Sequence, residues 1–373
     1  MSGYFILTVY FLISSSTLII LHSNQSVITP ERETNSFKLL FLTFPALAVG
    51  FYFVALRPFE SGGDTVGYIR TFNQLSSITT AVDTGRTFYG NTELLFWPLQ
   101  AILKSILDVR EWLIVNYFIV ALLTYYAYKK IVKNTKISPL IFSLVFLTFF
   151  AVYSGNAMRQ VYAIPLGVLA FYYAFHKNHL KFVLFSVLAM GFHWPAFIII
   201  LSPLFIRVPS KTIYYFMLPI ISLFCSVYVT DIVNLTISLT GLDWLSSKSN
   251  LYLNSAKVSH IGDIWTTLNF WLCIFIYFLV FAARKLGSSN LDIIVKYHMM
   301  FVSLMLFGIK SADISERYMV WVIYLMPISF AMLLSNIKLP SMIKNISLMT
   351  IFIVMAVLVF TRESAEITLG INW

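Results

Sequence analysis

The sequence predicts an all-α, polytopic membrane protein, and three observations carry that reading. Apolar residues make up 59% of the chain and charged residues only 11%, whereas about a quarter of a globular chain is charged. Apolar runs of roughly 17 to 25 residues recur along it, the length needed to cross a bilayer as a helix. Lysines and arginines collect in short segments between those runs. A soluble domain of 373 residues could not hide so much apolar surface, and the mean hydropathy is +0.81. The net charge of +10 therefore reports orientation in a membrane and points to no nucleic-acid partner.

In chain order, ten full spans are expected near residues 3–22, 38–56, 112–128, 138–153, 158–175, 212–230, 265–283, 294–309, 318–334 and 345–361. The first lacks a basic leader and a small-residue cleavage site, so it reads as a retained span and not as a signal peptide. After the second span comes a polar stretch, "RPFESGGDTVGYIR" (57–70), which opens a loop running to residue 111. Within it Val66, Ile69, Phe72 and Leu75 recur at helical spacing, which predicts an amphipathic surface helix with Asp64 as its N-cap. A second amphipathic helix is expected further along, with Glu93 in its first turn, where a carboxylate suits the helix dipole.

Residues 182–206 are long enough for one helix, but "MGFHWPA" interrupts them. Gly191 and Pro195 flank His193, and a residue before proline avoids helical geometry. The expectation is a broken or re-entrant pair of arms meeting at His193, since irregular backbone at depth is tolerated where protein covers it. Loop charge supports the break. With it, one side of the membrane holds fifteen lysines and arginines in its short loops and the other side two. An unbroken helix would move seven of the fifteen outward, against the positive-inside rule. The broken topology puts both termini, the 57–111 loop, residues 154–159, His193, a second long loop at 231–264 and residues 310–317 on the extracytoplasmic side. No linker, repeat or low-complexity tract divides the chain, so a single integral membrane domain, 1–373, is expected. Cys225 and Cys273 both lie in apolar segments, so a structural disulfide is not expected.

On that outer side stand the chemically useful residues. Arg159, in "SGNAMRQVYAIP", places a cation in the first turn of a span, with Ser154 or Asn156 as cap. A cation there opposes the helix dipole, so it either snorkels to the interface or, with the free N–H groups, forms an anion site. Arg317 in "SADISERYMVWV" repeats the pattern with Ser311 or Ser315 as cap, and Asp313 or Glu316 as plain pairing alternatives. His193 is either a satisfied core histidine or an acid, base or phosphate donor lining a cavity. Asp64 and Tyr68 share a helix face, with Arg57, Glu60, Arg70 and Arg86 nearby in sequence. Histidines 176, 179, 193, 260 and 298 are scattered, no metal-binding pattern appears, and no nucleotide-binding fingerprint is present.

The order of "GGDTVGY", "ELLFWPL" from Glu93, "RQVYA" from Arg159, "GFHWPA" and the "ERY" that opens a late span resembles the EpsG-like branch of Wzy-type O-antigen and exopolysaccharide polymerases, over residues 57 to 318. The resemblance implies an enzyme of the bacterial inner membrane that joins undecaprenyl-pyrophosphate-linked oligosaccharide repeat units at the periplasmic face. No metal or cofactor is expected. The partners are the lipid-linked oligosaccharide and membrane lipid, with a chain-length regulator protein as a possible further one. Arg159 and Arg317, with Arg70 or Arg86, would clamp the pyrophosphate. Asp64 comes first as acceptor base, His193 second and Glu93 third. Tyr68, Trp194, Trp244 and Tyr252 would stack on sugars. An O-antigen ligase, a polyprenyl-phosphate-sugar glycosyltransferase and a lipid-linked oligosaccharide transporter are the competing readings. The transporter is disfavoured because charges gather on one face and no paired half-chains are visible.

Overall fold

A computed structural model describes residues 51–52, 55–90, 92–132, 157–240, 264–285 and 291–337, with scattered positions up to 350. Every regular element among the described residues is helical, and none is a strand. The expected spans near 3–22 and 138–153, most of 38–56 and of 345–361, and the loop residues Trp244 and Tyr252 lie outside the described residues. The chain divides into two compact units, Met1–Ile200 with Leu334–Trp373, and Leu201–Leu333.

The first unit opens with three short helices in the 57–111 loop: α1 (Gly63–Gln74), α2 (Ala81–Tyr89) and α3 (Phe96–Lys104). Two long helices, α4 (Val109–Ile131) and α5 (Met158–Phe175), and then α6 (His179–Phe192) complete its described elements. The entry to α1 is fixed by arginines. Arg57 is buried and donates to the Thr65 hydroxyl. Arg110 Nη1 donates to the carbonyls of Ala55 (2.7 Å) and Arg57 (2.8 Å), while its guanidinium lies 4.2 Å from the Phe59 ring centroid. Burial and then the neighbouring Arg110 bring the Arg57 guanidinium down to about 10. At the other end, Lys104 Nζ donates to the carbonyls of Asn73 (2.5 Å) and Leu75 (2.7 Å), completing the last turn of α1.

Two sequence expectations change here. Asp64 is not the N-cap of α1. Gly62 takes that position with a φ of 81°, a conformation open to glycine, and no side chain caps the helix, so Asp64 falls inside the first turn and is exposed. The buried face carries Thr65, Tyr68 and Phe72, while Val66 points outward at 47% exposure. The reason is aromatic packing: Phe72 stacks on Trp112 with centroids 4.4 Å apart, and Tyr68 on Tyr89 at 4.5 Å. Glu93 likewise is not in the first turn of a helix, because α3 starts three residues later at Phe96.

Helix α4 begins at a full capping box, in which the Asp108 carboxylate accepts from Glu111 N–H and Glu111 accepts from Asp108 N–H. Lys129 and Lys130 sit in its last turn, where cations suit the dipole. Helix α5 is buried on nearly every side and packs along α6 and α4. Tyr162 of α5 donates to Asn116 Oδ1 of α4 at 2.5 Å, and Trp112 Nε1 of α4 donates to Gln100 Oε1 of α3 at 2.6 Å. Helix α6 ends at Phe192, and His193 is extended (φ −157°, ψ 111°) before a 3₁₀ segment, Trp194–Leu201. The predicted break is present, at the predicted residue.

The second unit contains α7 (Ser202–Arg207), α8 (Thr212–Cys225), α9 (Val229–Thr240), α10 (Leu268–Lys285), α11 (Asp292–Phe307) and α12 (Ala312–Asn336). Helix α11 is almost wholly buried and packs on α7, α8 and α10. Asp292 ties these together: Arg284 Nε donates to it at 2.6 Å, Lys296 Nζ stands 3.7 Å away, and Lys296 also donates to Ile206 O at 2.5 Å. Among the described residues, Thr212–Ile232, Leu268–Lys285 and Ala312–Leu334 are long and apolar enough to cross a membrane. The described part of this membrane protein is thus all helical, with three candidate membrane-crossing helices.

Candidate active site

Arg159 occupies the first turn of α5, as its place in the sequence requires. The residue before the helix is Ala157, whose side chain cannot cap, and the expected caps Ser154 and Asn156 lie outside the described residues. A buried cation at the positive end of a helix needs a negative partner. Glu93 supplies it. Arg159 Nη1 donates to Glu93 Oε1, both side chains being buried, while Arg159 Nε donates to the Tyr68 hydroxyl at 3.1 Å.

Aromatic rings hold the guanidinium from the side. Its carbon lies 4.6 Å from the Tyr89 ring centroid and 5.8 Å from that of Tyr68, a cation–π arrangement. Tyr68 is 1% exposed and wedged among Tyr89, Phe96 and Trp97. Burial pushes the Tyr68 hydroxyl up from its ordinary value, Arg159 pulls it back in part, and the Asp64 carboxylate adds to the rise. Both hydroxyls of the stack are raised chiefly by burial, so they serve as neutral donors and acceptors.

Glu93 comes from the irregular segment between α2 and α3, and that segment is tied to the break after α6. Leu95 N–H donates to Gly191 O at 2.8 Å, and Trp194 Nε1 to Thr92 O at 3.4 Å. Gly191 is required by close approach: a Cβ there would stand 2.5 Å from Leu95 side-chain carbons. These ties bring His193 Nδ1 to 3.7 Å from Glu93 Oε1, with His193 only 4% exposed. Burial alone would raise the Glu93 carboxyl, but Arg159 and His193 outweigh it and hold it below its ordinary value. Glu93 Oε2 is buried and has no hydrogen-bond partner among the described residues.

Thus the first unit gathers Arg159, Glu93, His193 and Tyr68, with Asp64 exposed one turn before Tyr68 and Trp194 half-buried beside His193. Arg70 and Arg86 are not in this cluster: Arg70 is exposed, and Arg86 is exposed and 3.8 Å from Asp83. Arg317 belongs to the second unit, in the second turn of α12. There Ser311 precedes the helix, and the Ser315 hydroxyl donates to Met305 O at 3.0 Å. Tyr89 went unnoticed in the sequence. Its signal would have been an aromatic residue at the end of an amphipathic helix, in "TFYGN", which hundreds of surface helices share.

Chemically the cluster combines a cation, a carboxylate and an imidazole in a desolvated place. That set can stabilise an oxyanion and move a proton. Among the described residues no three His, Cys, Asp or Glu side chains gather as metal ligands.

Compared with known proteins, the chain matches no curated protein and no solved structure. The sequence model of the EpsG family matches residues 37–369. That match takes in both units and every residue of the cluster, so the chain belongs to the EpsG family.

Proposed function

We propose that this chain is a polysaccharide polymerase of the bacterial inner membrane. It joins undecaprenyl-pyrophosphate-linked oligosaccharide repeat units at the periplasmic face through a ten-span topology with the 57–111 loop outside. Family membership supports a membrane protein of polysaccharide-polymerase type. The observation that carries the reaction is Arg159, buried in the first turn of α5 beside Glu93 and His193.

In this reading a hydroxyl oxygen of the incoming lipid-linked unit attacks the anomeric carbon of the growing chain. The new C–O bond forms as the bond to the pyrophosphate breaks, and the electron pair leaves on undecaprenyl pyrophosphate. Arg159 and the α5 N–H groups take up the negative charge that develops there. The hydroxyl proton passes to a carboxylate or imidazole, for which Asp64, His193 and Glu93 are the candidates. Trp194 offers an apolar face to a sugar ring. Arg70 and Arg86, exposed in the same loop as Glu93, add positive charge on that side.

The test is a chromosomal deletion complemented with wild type, R159A or R159K, read on a gel of surface polysaccharide. Both variants should insert in the membrane at normal levels yet give no chains beyond the first repeat, because lysine cannot replace a guanidinium that bonds two partners at once. Normal ladders from either variant would sink the assignment. Loss of all capped lipid, first repeat included, would favour a ligase.

A further inference from the structure

We propose that Glu93 stands in for the substrate anion in the resting enzyme, and that arrival of the pyrophosphate displaces it from Arg159 and frees it to take the acceptor proton. The inference rests on the reading of Arg159 as the pyrophosphate contact. Two features of the ion pair support it. It is one-sided: Glu93 Oε1 meets Arg159 Nη1 and faces His193 Nδ1 at 3.7 Å, while the buried Oε2 meets no partner among the described residues. A structural arginine–carboxylate pair normally engages both oxygens, and an idle buried oxygen is costly. Next, the two ends of the pair are held differently. Arg159 is fixed by its helix, the Tyr68 hydroxyl and the Tyr89 ring, whereas Glu93 is carried by an irregular segment between two helices, whose Thr92 and Leu95 bond Trp194 and Gly191.

The exchange links binding to chemistry. Around Glu93 stand Arg159 from α5 and His193 from the break, with Tyr68 of α1 and Tyr89 of α2 about the guanidinium and Asp64 exposed on α1. Once Arg159 turns to the pyrophosphate, the carboxylate is buried without its strong counter-ion and favours its protonated form. The acceptor hydroxyl is the proton source, so the base becomes effective only when donor is bound.

Full-length protein in nanodiscs, titrated with inorganic diphosphate and followed by tryptophan fluorescence, gives the test. E93Q should bind diphosphate at least about tenfold tighter than wild type, since a competing charge is removed from a buried site. R159Q should lose binding by about a hundredfold. A second measurement needs no variant: wild type titrated with sulfate, whose own charge does not titrate near neutrality, should take up a proton from buffer. Calorimetry in buffers of different ionisation enthalpy reads that uptake. Binding by E93Q equal to or weaker than wild type, or sulfate binding without proton uptake, overturns the exchange. If R159Q binds diphosphate as wild type does and R159A keeps its ladders, the pyrophosphate reading itself falls. If the Arg159 variants lose both while E93Q gains nothing, only the exchange is wrong.

Discussion

At the scale of single residues, Arg159 is held by shape as much as by charge. Its guanidinium rests 4.6 Å from the Tyr89 ring centroid, and Tyr89 itself stacks on Tyr68. A cation over an aromatic face contributes about 0.5–2 kcal/mol, and the ring supplies it without a hydroxyl. Y89F should therefore keep most long-chain polysaccharide, while Y89A should lose about tenfold or more in rate with the protein still inserted. Initial rates on lipid-linked donor separate positioning from bulk damage. The loss should fall on turnover and be rescued by phenylalanine; equal losses in Y89A and Y89F would remove the ring from the mechanism. Arg159 was legible in the sequence because a cation in the first turn of an apolar helix conflicts with the dipole. Its partner was not, since nothing in the chain between residues 93 and 159 tells which carboxylate crosses to it. The same blindness hid Tyr89.

Among elements, the break after α6 decides where the catalytic candidates meet. Gly191 and Pro195 made it visible in advance, because each disfavours helix for a reason that holds in any context. What the break does was not visible: its Gly191 carbonyl receives Leu95 N–H and so carries the Glu93 segment. The Asp64 cap failed for a related reason. Gly62 can adopt a φ of 81° and start α1 two residues earlier than an Asp64 cap would allow. The Gly191 contact gives a direct prediction. G191A puts a Cβ 2.5 Å from Leu95 side-chain carbons, and relieving that overlap costs about 1–3 kcal/mol. G191A should lower thermal stability and polymer yield together. Adding L95A makes room for the new methyl, so the double variant should recover part of both losses. Strictly additive losses would mean that the two residues do not press on one another.

For the whole molecule, the proposed topology turns on the break. A helix crossing without interruption from 182 to 206 would reverse every later segment, placing seven of the fifteen loop cations outside. The structure has α6 end at Phe192, an extended His193 and a 3₁₀ segment in its place. Helical content and the later membrane-crossing helices follow from apolar runs and were legible from length alone. Sidedness rests on charge counts, and it is testable with single cysteines in a background where Cys225 and Cys273 are serine. Asp83 is exposed in the 57–111 loop, and Lys177 in the short turn between α5 and α6. Arg207 lies after the break, at the end of α7. If the break turns the chain back, D83C should react with a membrane-impermeant maleimide in spheroplasts, while K177C and R207C should react only after permeabilisation. An unbroken crossing would separate the last two, leaving R207C open from outside and K177C closed. The pair at 177 and 207 therefore tests the turn at His193 independently of which face is outer. D83C then says whether the 57–111 loop, which carries Glu93, sits on the side proposed for the lipid-linked donor.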